Sequence, residues 1–304
     1  VFEQYLACAD LHITDKTPRY RKDDYLETGL RKLEWIVNKA NDLDAVLLLS
    51  GDVFDSVTIK WEVVNRVTAI LQNCRYTPIA IAGQHDMVNK VADLLNTPLF
   101  NLAVNGVIEV IGTSTNGSTV GQRTGIQGQQ YHGPMPVPEG ENNIILIHKS
   151  ITPEEPPFFL GDALSAEDAV KLYRGFRVIV AGDYHLPFHV KIDGIDVVNC
   201  GPMMRDKKDK RELKPCVWHI GKRFEDVKVT KIEIPIEPAD AVFDIAAIEY
   251  DETNTVSVDT AKLKQLIEEG IDVFDFDAIV HKVYESTDFK FITKEDVTTI
   301  LTGA

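Results

Sequence analysis

Short apolar runs recur along the chain at Tyr5 to Ala9, Val46 to Ser50, Ile79 to Ala82, Ile144 to Ile147 and Val178 to Ala181. Each is rich in Val, Ile, Leu or Ala and bounded by Gly or charge, which predicts buried strands. Helical periodicity separates the first three. Leu26, Leu30, Leu33, Ile36, Val37 and Ala40 mark a helix over Asp24 to Asn41, with Asp23 or Asp24 as its cap, and Val63, Val64, Val67, Ile70 and Leu71 mark another over Lys60 to Asn73. A third amphipathic stretch runs from Val88 to Leu95 and stops before Pro98. Val107 to Ile111 reads as a strand, and Gly112 to Asn143, rich in Gly, Pro, Ser and Thr, as loop with one strand near Thr124 to Tyr131. Further strands are expected at His189 to Ile192, Ile195 to Val198, Pro215 to Ile220 and Val227 to Ile234. Helix and strand alternate first and strands dominate later. That order predicts an α/β fold, a sandwich of two sheets flanked by helices.

The polar residues that follow the five runs change the picture from fold to chemistry. They are Asp10-Leu11-His12, Gly51-Asp52, Gly83-Gln84-His85-Asp86, His148 and Gly182-Asp183-Tyr184-His185. Each cluster falls at the C-terminal end of a strand, the rim of a layered sheet where loops converge and ligands bind. Taken alone, an Asp-Leu-His or a Gly-Asp is more often a turn or a cap than a ligand. Their joint order argues otherwise. Four of the eight histidines (His12, His85, His148, His185) follow apolar runs, where a buried ring needs a partner such as a metal. Carboxylates, a carboxamide and imidazoles on one rim describe a site for two divalent cations. His132, His189, His219 and His281 lack that setting and read as surface or hydrogen-bonded residues, although His189 lies only four positions beyond His185.

Composition narrows the class without fixing it. At 304 residues and 44% apolar content the chain can bury a sizeable core. No apolar run reaches the roughly 18 residues of a membrane span, and the first residues lack the layout of a secretory signal. Cys8, Cys74, Cys200 and Cys216 are widely separated, as reduced thiols are. A cytoplasmic, membrane-free enzyme is expected. The net charge of −15 is concentrated: residues 237–304 hold 16 acids and 5 lysines, a net −11, against −4 over the first 236. The chain is expected to divide into a catalytic domain over 1–235 and an acidic extension over 236–304. That extension contains a helical pattern at Asp259 to Glu269, another at Thr293 to Leu301, and too many apolar residues for a disordered tail.

The ordered set D-x-H, GD, G-[N/Q]-H-D, H and G-[H/D]-x-H resembles the calcineurin-like metallophosphoesterase superfamily, over roughly residues 3–235. Within it, Ser50-Gly51-Asp52-Val53-Phe54-Asp55 and Val197-Val198-Asn199-Cys200-Gly201-Pro202-Met203-Met204-Arg205 are similar to the SbcD-type DNA repair nucleases of bacteria and phages. The resemblance implies that Asp10, His12 and His185 hold one metal, Gln84, His148 and Asp183 hold the other, and Asp52 bridges them. It implies that His85 protonates or stabilises the departing oxygen with Asp86 orienting its ring, and it places Asp55 near the substrate. It further implies 3′-to-5′ exonuclease and single-strand endonuclease activity on DNA, an SbcC-type ATPase as partner, and a bacterial or phage-infected cytoplasm. The assembly state is left open, a homodimer included. Gln84 and Asp183 depart from the more usual Asn and His; the added carboxylate shifts the second site toward Mn²⁺, with Mg²⁺ as an alternative.

Two basic stretches, Arg19, Arg21 and Lys22 after the first motif and Lys207, Lys208, Lys210 and Arg211 after the last, are candidates for phosphate contact. Two other readings stay open: a phosphoesterase for small nucleotides or phosphoproteins, and a scaffold subunit that has kept the fold without the chemistry.

Overall fold

The structure, a computed structural model, describes residues 4–88, 95–113, 119–121, 125–138, 143–157, 160–223 and 226–254. The chain divides into two compact units, one of residues 1–156 with 162–244 and one of 157–161 with 245–304. On this division residues 236–244 stay with the larger unit. The reason is local: Phe243 is fully buried, pairs with Arg21 in an isolated bridge, and the backbone amide of Asp244 donates to Tyr20.

The larger unit contains two main sheets and, among its described residues, two short two-stranded ones. The first is built around parallel β1 (Gln4–Cys8), β2 (Val46–Ser50), β3 (Ile79–Ile81) and β4 (Glu109–Val110). A short pair follows, β5 (Gly112–Thr113) with β6 (Thr119–Gly121). The second sheet contains β7 (Ile126–Gln129), β8 (Ile144–His148), β11 (Val178–Gly182), β12 (Phe188–Ile192) and β13 (Ile195–Asn199), in the order β12-β13-β11-β8-β7. Between them in sequence, β9 (Ile151–Thr152) and β10 (Leu164–Ser165) form a separate ladder. The hairpin of β14 (Cys216–Arg223) and β15 (Asp226–Glu233) returns to complete the first sheet, in the order β15-β14-β1-β2-β3-β4.

Burial on both faces explains why these strands are apolar at every position rather than at alternate ones. Tyr5, Ala7, Val46, Leu48, Ile79 and Ile81 of the first sheet pack with Ile144, Leu146, Val178 and Val180 of the second. The intervening residues of the first sheet, Leu6, Cys8, Leu47 and Leu49, face the helices α1 (Tyr25–Asp42), α2 (Trp61–Leu71) and α3 (Pro98–Val104). On the far side, Ile145, Ile147, Ile179 and Ala181 face α4 (Ala166–Leu172). The result is the expected two-sheet sandwich flanked by helices.

Asp24 caps α1 by accepting from the amide of Glu27, within the expected span. The expected helix at Val88 to Leu95 lies almost wholly outside the described residues, as do those at Asp259 to Glu269 and Thr293 to Leu301. Four of the described α-helices escape the periodicity argument, two of them within the larger unit's flanking layers. α3 begins on Pro98 with Thr97 as cap, and α4 begins after Ser165, whose side chain accepts from Asp168. Both have only 7 residues, too few to display a 3.6-residue period; their caps are the better signal. The smaller unit, among its described residues, contains α6 (Ile245–Asn254); α5 (Ala239–Val242) belongs to the larger one. No helix among the described residues is long and apolar enough to cross a membrane.

Candidate metal centre

The site is assembled by loops that prolong strand pairing past the strand ends. After β1 and β2 the chain keeps pairing: the amides of Asp10, His12 and Ile13 donate to the carbonyls of Gly51, Asp52 and Val53 at 3.1, 3.0 and 3.1 Å. This places His12 against Asp52. The β3 loop is pinned to the β2 loop by Asp86, which is fully buried and accepts from the amides of Gly83, Val53 and Phe54 at 3.1, 3.3 and 3.2 Å. Asp86 therefore holds two loops together and does not orient the His85 ring. The ring is set by the backbone carbonyl of Asp55, 2.7 Å from Nδ1, while the His85 amide donates to Asp52 Oδ1 at 2.9 Å. A carbonyl only accepts, so Nδ1 bears the proton and Nε2 is the nitrogen left for chemistry.

The close approach explains the motif glycines. A Cβ on Gly83 would stand 2.1 Å from Asp52 Oδ1, and one on Gly51 would stand 2.3 Å from His148 Nδ1. The backbone is also strained here. Asp10, His12, Asp52 and Asp183 have φ of 51, 42, 53 and 83°, the left-handed region that costs an L side chain on the order of 1–3 kcal/mol. Among the described residues only Asp44, His132 and Asp193 share that property without being proposed ligands.

Among the described residues three groups can be drawn whose ligand atoms, within each group, lie within 4.8 Å of one another: Asp10, His12 and His185; Asp10, Asp52 and His148; and His12, Asp55 and His85. The first is the set expected for one metal. In the second, His148 and Asp52 meet as expected, 3.2 Å apart, but the carboxylate completing the group is Asp10 rather than Asp183. Asp183 sits beside Gln84 instead, accepting from Gln84 Nε2 at 2.7 Å on one oxygen and from the Ser150 hydroxyl at 2.5 Å on the other. Its amide donates to both oxygens of Asp10. Ser150 is absent from the sequence-based site; its only signal there is its place two residues after His148. The third cluster puts Asp55 at the site, 3.5 Å from His12 Nδ1.

The residues fit a metal pair by a test independent of motif. Among the described residues, both ring nitrogens of His12, Nε2 of His148 and Oε1 of Gln84 are buried without a well-formed hydrogen bond, the histidine nitrogens meeting carboxylates only at 3.2 to 3.7 Å. Buried polar atoms left this loosely engaged are costly unless a cation completes them. His148 Nδ1 lies 2.7 Å from the Ser50 carbonyl, to which it donates, so Nε2 is the nitrogen that could ligate, in the arrangement that metal-binding histidines commonly adopt.

Electrostatics agree. Burial lifts the Asp10 carboxyl to about 6, against the opposing pull of His148 and His12. Burial would pull the His148 imidazolium down, but the charge of Asp52, with Asp10 and Asp183, outweighs it and holds that imidazolium well above its usual range. For Asp52, burial is likewise overcome by His148 and His12, which hold its carboxyl low. Burial, then Lys210 and His12, push the His185 ring down to about 3.

The basic residues part company. Arg19 and Lys22 are exposed, and Lys207, Lys208 and Arg211 half-buried. Arg21 and Lys210 turn inward, contrary to expectation. Arg21 forks onto Asp23 and donates to the Arg205 carbonyl, fixing one loop to another. Lys210, 8% exposed, reaches His185 Nδ1 at 2.7 Å and Asp206 at 3.1 Å. His189 pairs with Asp196 at 2.8 Å and His219 with Gln4 at 2.7 Å, and neither belongs to the centre.

No protein-family model matches the chain, and no curated protein sequence does. Among solved structures it is similar to an archaeal phosphodiesterase (14% identity over 75% of this chain and 99% of that one, TM-score 0.40). It is similar also to a dimetal phosphatase from Danio rerio (11% identity, 77% and 99%, TM-score 0.48) and to a putative 5′-nucleotidase from Staphylococcus aureus (11% identity, 88% and 58%, TM-score 0.48).

Proposed function

We propose that the chain is a two-metal phosphodiesterase of the calcineurin-like type that acts on DNA, with SbcD-like 3′-to-5′ exonuclease and single-strand endonuclease activity. The observation that supports it best is the gathering of His12, His148 and Gln84, with buried polar atoms that lack well-formed hydrogen bonds, around Asp10 and Asp52 at the strand ends of both sheets. In this reading Asp10, His12 and His185 hold one ion, Gln84, His148 and Asp183 the other, and Asp52 stands between them. Bound divalent ions would supply an activated water and neutralise charge on the attacked phosphate. An amide oxygen and two carboxylates around the second position favour Mn²⁺, then Mg²⁺.

The protein's own contribution is positioning. His85, held through Nδ1 by Asp55, presents Nε2 to stabilise or protonate the departing oxygen. Asp86 and the strained turns fix the ligands before substrate arrives. DNA would track the basic residues still turned outward, Arg19, Lys22, Lys207, Lys208 and Arg211, and the acidic segment from residue 236 would serve an SbcC-type ATPase partner.

The inward turn of Arg21 and Lys210 thins that track and favours a second reading, a phosphoesterase for small nucleotides. One assay separates them: purified protein with Mn²⁺ against single-stranded DNA, duplex DNA, a nucleoside monophosphate and bis(4-nitrophenyl) phosphate, with Asp52→Asn as control. Cleavage of DNA, absent in the control, is the expected result. Release of phosphate from the monophosphate alone would replace the nuclease by the second reading.

A further inference from the structure

Beside the proposed centre the surface opens into a cleft of about 290 Å³ that the metal chemistry does not use. His148 and Asp183 line it, so whatever occupies it stands next to the reacting phosphate. One wall is a tight turn closed by the Gly133 amide donating to the Gln130 carbonyl at 2.7 Å, with Tyr131 and His132 at its tip. The turn is braced: Tyr131 donates its amide to Ala82, Gln129 Nε2 donates to the Gly133 carbonyl, and the Tyr173 hydroxyl holds Gln129 from behind. The two rings lie 4.1 Å apart at 67°. His132 is exposed and held at φ 54°, a strained conformation that keeps its ring against Tyr131 at the mouth of the cleft. Also lining the cleft is the ion pair of Lys149 with Asp162, which offers a donor and an acceptor together.

We propose that this cleft is a nucleoside subsite, in which the base of the nucleotide adjoining the scissile phosphate stacks on the Tyr131–His132 turn and its polar edge or sugar meets Lys149 and Asp162. The inference rests on the phosphodiesterase reading and deepens it. Three features favour a nucleoside over other occupants. The volume lies at the small end of ligand clefts, enough for one nucleoside and too little for a duplex or a folded peptide segment. Aromatic rings on a rigid turn give a base its π-face, a contact worth roughly five- to 150-fold in affinity per base and tolerant of sequence. The mixed-charge pair suits a neutral heterocycle with both donors and acceptors better than it suits a second phosphate, which Asp162 would repel.

The test uses the whole protein with Mn²⁺ and the dinucleotide TpT, alongside analogues in which an abasic tetrahydrofuran sugar replaces one thymidine or the other. We expect loss of one particular base to lower kcat/KM about tenfold or more and loss of the other to cost less. In Tyr131→Leu and in His132→Asn, which tolerates the left-handed backbone, that base dependence should shrink toward one, and Tyr131→Phe should restore it. Nuclear magnetic resonance line broadening of thymidine by the metal-free protein should weaken in the same two variants, a readout independent of turnover. Equal cleavage of TpT and both abasic analogues, with bis(4-nitrophenyl) phosphate hydrolysed normally, would overturn the subsite and leave the phosphodiesterase standing. Failure on every diester with turnover of a phosphopeptide would overturn both.

Discussion

Loading the centre with metal should expel a proton from His148, and the size of the effect follows from its surroundings. Its Nδ1 donates to Ser50, and its Nε2 lies 3.2 Å from the Asp52 carboxylate in a fully buried position. Burial disfavours the imidazolium, yet Asp52, Asp10 and Asp183 outweigh it and keep the ring protonated above its usual range. A metal ligand must be deprotonated, so binding at Nε2 displaces that proton. The sign follows: the metal-free protein binds one proton more than the loaded one below the raised pKa, so affinity climbs with pH. One proton corresponds to tenfold in affinity per pH unit, about 1.4 kcal/mol. Below the raised His148 pKa the Mn²⁺ affinity should fall about tenfold for each unit of pH on that basis. Below about 6 the fall should steepen, because burial has lifted the Asp10 carboxyl to that value and it adds a second proton. Isothermal titration near neutral pH in two buffers of different ionisation enthalpy counts the protons directly. One released per chain is expected for the ion that His148 binds. Enthalpies that do not depend on the buffer would refute the assignment of His148 as a charged, ligating residue.

Other outcomes follow from the same geometry. Gly83→Ala would drive a methyl to 2.1 Å from Asp52 Oδ1, so it should cost about 1–3 kcal/mol of stability, read as a lower Tm, and abolish metal binding in titration; unchanged binding would mean the loop relaxes freely. His85→Ala should retain metal and lower kcat by about 10²–10⁴, whereas Asp52→Asn should abolish both; equal release of metal by the two variants would erase the distinction between their roles. Neutralising Lys207, Lys208 and Arg211 together should lower the salt slope of single-stranded DNA binding by up to about 0.7 for each phosphate no longer neutralised, and an unaltered slope would move the track elsewhere.

Much of the centre is legible in the sequence because each ligand follows a buried strand and the order of motifs is preserved. Continuous apolar runs locate β1, β2, β8 and β11, and Asp10, His12, Asp52, His148 and His185, at or just past their ends, come together. What escapes depends on contacts between loops distant in sequence. The bond from Ser150 to Asp183 and the contact of Lys210 with His185 span 33 and 25 residues, and neither has a local pattern. Asp86 stands next to His85 in sequence and so resembles its partner, but the tight turn at Gln84–Asp86 sends the two side chains to different tasks. Arg21 lies in a basic run with the look of a solvated surface, and its carboxylate partner Asp23, two residues on, is the sign that it is buried as a pair.

One rim should hold two ions, although Asp183 is engaged by Gln84 and Ser150 and not grouped directly with His148. Anomalous diffraction from crystals soaked in saturating Mn²⁺ addresses it most directly. Two peaks are expected, one among Asp10, His12 and His185 and one among Gln84, His148 and Asp183, with Asp52 between them and with Asp183→Ala emptying the second peak first. A single peak beside Asp10 and His185 at saturation would contradict a two-ion rim.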